Sequence, residues 1–221
     1  MFVTHKREKL INAIIYFVRN TKHCHKLKLF KLLSFLDFEH YRQTGRSVTG
    51  LHYDAWPMGP VPSHLDEELK KTGSDLATAV AVFKSRDTGS RLPTIDDFNE
   101  LDPFMAREAG YARRESAIER FVFKPKKRFN PKFFTKRELC ILETVAEIFR
   151  DAKGMDMTQV SHLKGQPWYK VFRKGEGKGT SIPYELALSS DPIIQDVPTI
   201  SRDELEYRDE ALHEVRSWTG R

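Results

Sequence analysis

The segment 26 to 42 is the strongest constraint on the fold. Leu29, Leu32, Leu33 and Leu36 recur at helical spacing and form one apolar stripe. Leu27, Phe30, Phe38 and Tyr41 form a second. A helix that is apolar on two sides must be covered on two sides, so the segment is expected to be the central core helix. Gly45 is placed to end it in a left-handed cap. With 221 residues, the chain is long enough to bury such a helix without disulfides or metals.

The other elements are expected to pack around it. Residues 6 to 19 read as an amphipathic helix with Leu10, Ile14, Phe17 and Val18 inward, widened by Ile11 and Ile15. Residues 48 to 56 read as a short strand or extended connector. Trp56 to Pro62 reads as a rigid turn, because three prolines fix φ and remove donors. A helix is expected from Ser63, with Ser63 and Asp66 as a capping pair and Leu65 and Leu69 inward. Residues 75 to 84 suit either a short helix or a strand, and 85 to 93 a loop. Thr94 with Asp97 reads as another cap. Residues 118 to 124 alternate as a strand does, and 124 to 132 read as an extended linker.

Thr135 and Glu138 have capping-box spacing ahead of a stripe made by Leu139, Leu142, Val145, Ala146 and Phe149. Asp151 to Gly154 is expected to end that helix, with a short helix at 156 to 163 and a flexible loop at 173 to 181. A final capping box at Ser201 to Glu204 opens a C-terminal helix to about residue 217. The fold class is therefore mainly α: a compact helical domain over 1 to 190 with a few short strands, then an acidic extension over 191 to 221 with one helix.

Composition narrows the function classes. Hydrophobic residues are 39% and charged residues 31%, which suits a soluble globular chain. No run reaches the length of a membrane span, so no membrane partner is expected. Cys24 and Cys140 stand alone, without a CxxC pair, which fits a reducing, cytoplasmic setting. The net charge of +6 is unevenly placed. From Arg120 to Arg137 eight basic residues run without an acid, whereas the last 31 residues carry eight acids against four Lys or Arg. Within the basic run, Lys124, Lys126, Lys127, Arg128 and Lys132 form a candidate patch for an anionic partner, interleaved with phenylalanines that are expected to be core.

Catalytic and metal chemistry find little to stand on. His23-Cys24-His25 has no second half to complete a metal site. The loop 173 to 181 lacks the glycine placement of a phosphate loop. Asp37 and Glu39 lie on the second helix with His40 next to Glu39, adjacent positions that do not share a helix face, and Asp66, Glu67 and Glu68 suit a helix N-terminus. No nucleophile motif is present, so no enzyme, no metal and no cofactor is expected.

Two separated segments carry a family resemblance. Leu27-Lys28-Leu29-Phe30-Lys31-Leu32-Leu33-Ser34-Phe35-Leu36-Asp37, then Gly45, then Ala55-Trp56-Pro57-Met58-Gly59-Pro60-Val61 resembles the Panacea antitoxin domain, also called SocA-like or GepA-like. Ser161-His162 and Pro167-Trp168 are similar to its C-terminal elements. The resemblance implies a mainly helical domain that binds a cognate toxin encoded beside it, forming an oligomer with that toxin. One branch implies an adapter that hands its partner to a protease. Nucleic acid stays a weaker alternative, through the basic patch. Lys31, Trp56, Gly59, Pro60, Val61, His162 and Trp168 are the motif residues the resemblance singles out, and Trp56, Pro60 and Trp168 are expected to be structural before they are interfacial.

Overall fold

A computed structural model describes residues 5–71, 74–85 and 120–194. The Thr94–Asp97 cap, the loop after residue 85 and the acidic helix at 201 to 217 lie outside the described residues. Helix α1 spans Lys6–Asn20 and α2 spans Lys26–Thr44. Strands β1 (Asp54–Trp56) and β2 (Gly59–Val61) follow as an antiparallel hairpin. Next come α3 (Ser63–Glu68), α4 (Asp75–Ala79) and β3 (Val80–Ser85). After the undescribed stretch, β4 (Arg120–Pro125) pairs antiparallel with β3, setting Val82 opposite Phe123. Helices α5 (Lys136–Ile148), α6 (Gly154–Ser161) and α7 (Pro167–Phe172) complete the order. The fold is mainly α, as its hydrophobic periodicity predicts.

The second helix is central. Every residue from Lys28 to His40 is buried. One side meets α1, α5 and α6, where Phe35 stacks on Phe149 with centroids 5.0 Å apart. The other meets a second apolar cluster in which Phe38 packs on Tyr53 and Tyr184, at 5.4 and 5.0 Å. Gly45 ends the helix at φ +71°, in the left-handed region that favours glycine.

Burial of a whole helix also buries its polar residues, and each needs partners. Lys28 Nζ donates to the carbonyls of Lys22, Arg150 and Ala152, at 2.7, 3.1 and 2.6 Å, so one side chain serves the ends of two helices. Asp37 is fully buried. It accepts the Thr49 amide at 2.7 Å, the Tyr53 hydroxyl at 2.8 Å, the Thr49 hydroxyl and, at 3.4 Å, the Tyr184 hydroxyl. Burial raises the Asp37 carboxyl above its ordinary range, and the Thr49 and Tyr53 hydrogen bonds offset part of that rise.

Several local expectations are corrected. The turn expected over Trp56 to Pro62 is confined to Pro57 and Met58, and Gly59–Val61 is strand paired with Asp54–Trp56, setting Ala55 opposite Pro60. Ser63 does not cap α3; its hydroxyl donates to Asp54, and Pro62 occupies the cap position. Ser74 caps α4 instead, accepting the Ala77 amide at 3.2 Å. The 75 to 84 segment is helix first and strand second. Helix α5 stops at Ile148, before Asp151, and Gly154 opens α6. The loop at 173 to 181 does not run free. Gly179 donates to the Ala55 carbonyl at 2.7 Å, and Ala55 donates to Thr180 at 2.8 Å, which gives β1 a second edge partner.

The capping box forms as expected, with the Glu138 amide on Thr135 Oγ1 at 3.2 Å and the Thr135 amide on Glu138 Oε2 at 2.7 Å. Cys24 and Cys140 are both free thiols. Among the described residues, no helix is long and apolar enough to cross a membrane.

The Asp37 network gives a graded test. Tyr53→Phe removes one hydroxyl donor and is expected to destabilise by about 1 kcal/mol. Asp37→Ala deprives several buried donors of their acceptor and is expected to destabilise by roughly 2–5 kcal/mol. Urea midpoints at unchanged m-value read both effects.

Candidate functional site

The seven motif residues come from three distant segments, and the fold brings them to one place. Lys31 sits in the second turn of α2 with none of its surface exposed. Its Nζ donates to the carbonyl of Met58, at the tip of the hairpin. It forms no ion pair among the described residues. Burial without a counter-charge pushes the Lys31 amine well below its ordinary value. Either protonation form keeps an N–H to donate, so the contact with Met58 does not depend on charge.

Gly59 explains how a lysine head fits under the hairpin. Its φ is +107°, and a Cβ there would sit 1.5 Å from Lys31 Nζ and 2.9 Å from Ser161 Oγ. Only a residue without a side chain lets the backbone come this close. Pro60 and Val61 then carry β2 away from the tip, with Pro60 buried and Val61 half-buried against the main core. Proline is tolerated here because the strand is short and pairs along one edge only.

The C-terminal motif closes the site from the other side. Ser161 ends α6, and its hydroxyl turns back to the Thr158 carbonyl at 2.9 Å. His162 stacks on Trp168, with centroids 3.7 Å apart and planes 16° from parallel. Trp168 is buried, and its indole N–H donates to the Trp56 carbonyl at 2.8 Å. That bond supplies the partner a buried indole requires. His162 Nε2 is buried without a hydrogen-bond partner. Burial, with a smaller push from nearby Lys31, lowers the His162 imidazole to about 2, so it is neutral at any physiological pH.

Trp56 stands apart from this core. Its carbonyl is held, yet the residue is 42% exposed, so it is not the buried core residue the sequence reading expected. Pro60 and Trp168 are buried. The basic patch lies elsewhere. Lys124, Lys126, Lys127, Arg128 and Lys132 are all exposed on β4 and the segment after it, and none contributes to the hairpin site. The phenylalanines between them divide: Phe121, Phe123 and Phe134 are buried, while Phe129 and Phe133 are half-buried against the core. In the His23-Cys24-His25 run, His23 is exposed at φ +54° and His25 is the N-cap of α2.

Sequence reasoning missed two things here. Leu163 and Tyr169, next in the chain to His162 and Trp168, are 56% and 43% exposed. It also missed the Asp37 network, because nothing in the local sequence sets Asp37 apart from the other charged residues of α2.

The model of the SocA-like antitoxins, Panacea domain, matches residues 29–169. The match takes in well over half of the chain and every residue of the hairpin site. The chain belongs to this family of antitoxin-like domains. No curated protein and no solved structure matches it.

Two tests follow from this geometry. Gly179 also has a positive φ, +77°, but nothing lies within 4 Å of a Cβ placed there. Gly179→Ala is therefore expected to destabilise by about 1–2 kcal/mol, from backbone strain alone. Gly59→Ala adds the collision with Lys31 and should be clearly worse; thermal unfolding compares the two.

The second test is titration. Because the folded-state pKa of His162 lies below the unfolded value, the unfolded chain takes up a proton below pH 6.5 that the folded chain refuses. Stability is lost as pH falls, by about 2 kcal/mol between pH 6.5 and 5 from this residue. His162→Phe, which retains a ring to stack on Trp168, should remove that part of the slope in urea titrations.

Proposed function

We propose that this chain is an antitoxin that neutralises a toxic protein by binding it directly, without chemistry of its own. The observation that carries this reading is the family match, which spans Lys31, the Trp56–Val61 hairpin and the Ser161–Trp168 segment together. The geometry supports it in a specific way. The motif residues pack a hairpin tip tightly from beneath, the arrangement of a rigid platform for a partner. The cognate partner is a protein, and the complex with it is the functional form.

Co-expression with the product of the adjacent reading frame tests this. The product alone is expected to arrest growth, the pair to restore it, and the two chains to co-elute. A harmless neighbour that does not co-purify would sink the reading. The partner's half-life separates simple blocking, which leaves it unchanged, from delivery to a protease, which shortens it.

A second reading, contact with nucleic acid, draws on the exposed cations Lys124, Lys126, Lys127, Arg128 and Lys132. It requires duplex binding that weakens steeply between two salt concentrations. Absence of binding at the lower one removes it.

A further inference from the structure

We infer that Trp56, Leu163 and Tyr169 form the face that grips the protein partner, with Trp56 as its anchor and an acid-rimmed apolar pocket on the partner as its complement. This rests on the protein-binding reading above and says where and how the binding occurs.

The three residues are 42%, 56% and 43% exposed. Each is tied to the same spot. The Trp56 carbonyl accepts the Trp168 indole N–H. Tyr169 follows Trp168 in α7. Leu163 follows His162, whose ring stacks on Trp168. The buried partners hold the backbone, and their exposed neighbours face outward from it.

The hairpin tip is fixed before any partner arrives. Trp168 holds the carbonyl on one side of Pro57, and Lys31 holds the Met58 carbonyl on the other. Pro57 fixes its own φ. Gly179 and Thr180 bond Ala55 from the outer edge of β1. The packing of Lys31, Gly59 and Trp168 accounts for where this tip sits. It does not use the exposed part of Trp56. A large aromatic on a backbone already ordered loses little freedom on binding, and tryptophan and tyrosine are the types that dominate binding energy at interfaces.

Charge identifies the partner's rim. From Lys164 to Lys178 there are five Lys or Arg against one acid, Glu176. Lys170 is engaged internally with the carbonyls of Leu186 and Ser189. Arg173 and Lys174 are exposed and both take positive φ, +43° and +57°, which residues with a Cβ rarely adopt. Their loop ends on β1, where Gly179 and Thr180 bond Ala55 and Ser181 pairs with Asp54. The exposed Arg173 and Lys174 call for carboxylates around the pocket that receives the indole.

The test uses the full chain and the purified product of the adjacent reading frame, with affinity measured at two salt concentrations. Trp56→Ala is expected to weaken binding about 30-fold or more, and Leu163→Ala and Tyr169→Ala several-fold. Arg173→Glu with Lys174→Glu should slow association and flatten its salt dependence. Ile148→Ala, on an exposed residue of α5, should bind as wild type. Thermal unfolding of each variant, with Trp56→Phe as a milder change, separates lost contact from lost fold. Wild-type affinity in the Trp56, Leu163 and Tyr169 variants overturns this face and leaves the antitoxin reading standing. A wild-type chain that does not bind the product overturns both. Variants that keep the protein partner but lose retention of a single-stranded oligonucleotide assign the face to nucleic acid and overturn the inference.

Discussion

A helix buried on every side cannot leave a polar group unanswered, and this constraint on α2 organises the rest of the molecule. Lys28, Lys31 and Asp37 lie along it with almost no exposed surface. Each reaches a different connection. Lys28 gathers carbonyls at the ends of α1 and α5. Lys31 takes the tip of the β1–β2 hairpin. Asp37 takes Thr49, Tyr53 and, more weakly, Tyr184. An unsatisfied buried donor or acceptor costs more than a made bond returns, so these contacts select the paths of the loops more than they add to stability.

Seen this way, the two halves of the family motif are one piece of engineering. The helix supplies an amine, and the hairpin supplies a carbonyl and a glycine thin enough to admit it. The segment after α6 supplies a stacked imidazole and indole. Removal of the glycine's freedom, or of either donor, leaves the others without their task. The motif is therefore a statement about how a hairpin is held. The face inferred for the partner is a separate matter: it lies on Trp56, the exposed member of the motif, and on Leu163 and Tyr169 beside it, not on the buried part.

Much of the fold is legible in the sequence because its signals are local. The Thr135 box, the left-handed Gly45 and the alternation around Phe121 and Phe123 each depend on neighbours a few residues away. The misreadings share a cause. Ser63 reads as a cap until Asp54 competes for its hydroxyl. The glycine-rich loop reads as free until its end finds the edge of β1. Trp56 and Trp168 look alike in composition, and nothing local says that one is exposed and the other buried.

The sequence by itself determined a central helix with two apolar faces, the helices that flank it and the family to which the chain belongs. It did so because helical periodicity and motif spacing are written in consecutive residues. Only the tertiary structure decided that Lys31 is buried under a carbonyl 27 positions on, and that an indole 112 positions from Trp56 holds its backbone while the Trp56 ring faces out. Burial and hydrogen bonding belong to pairs of residues distant in the chain, and only the packed fold brings such pairs together.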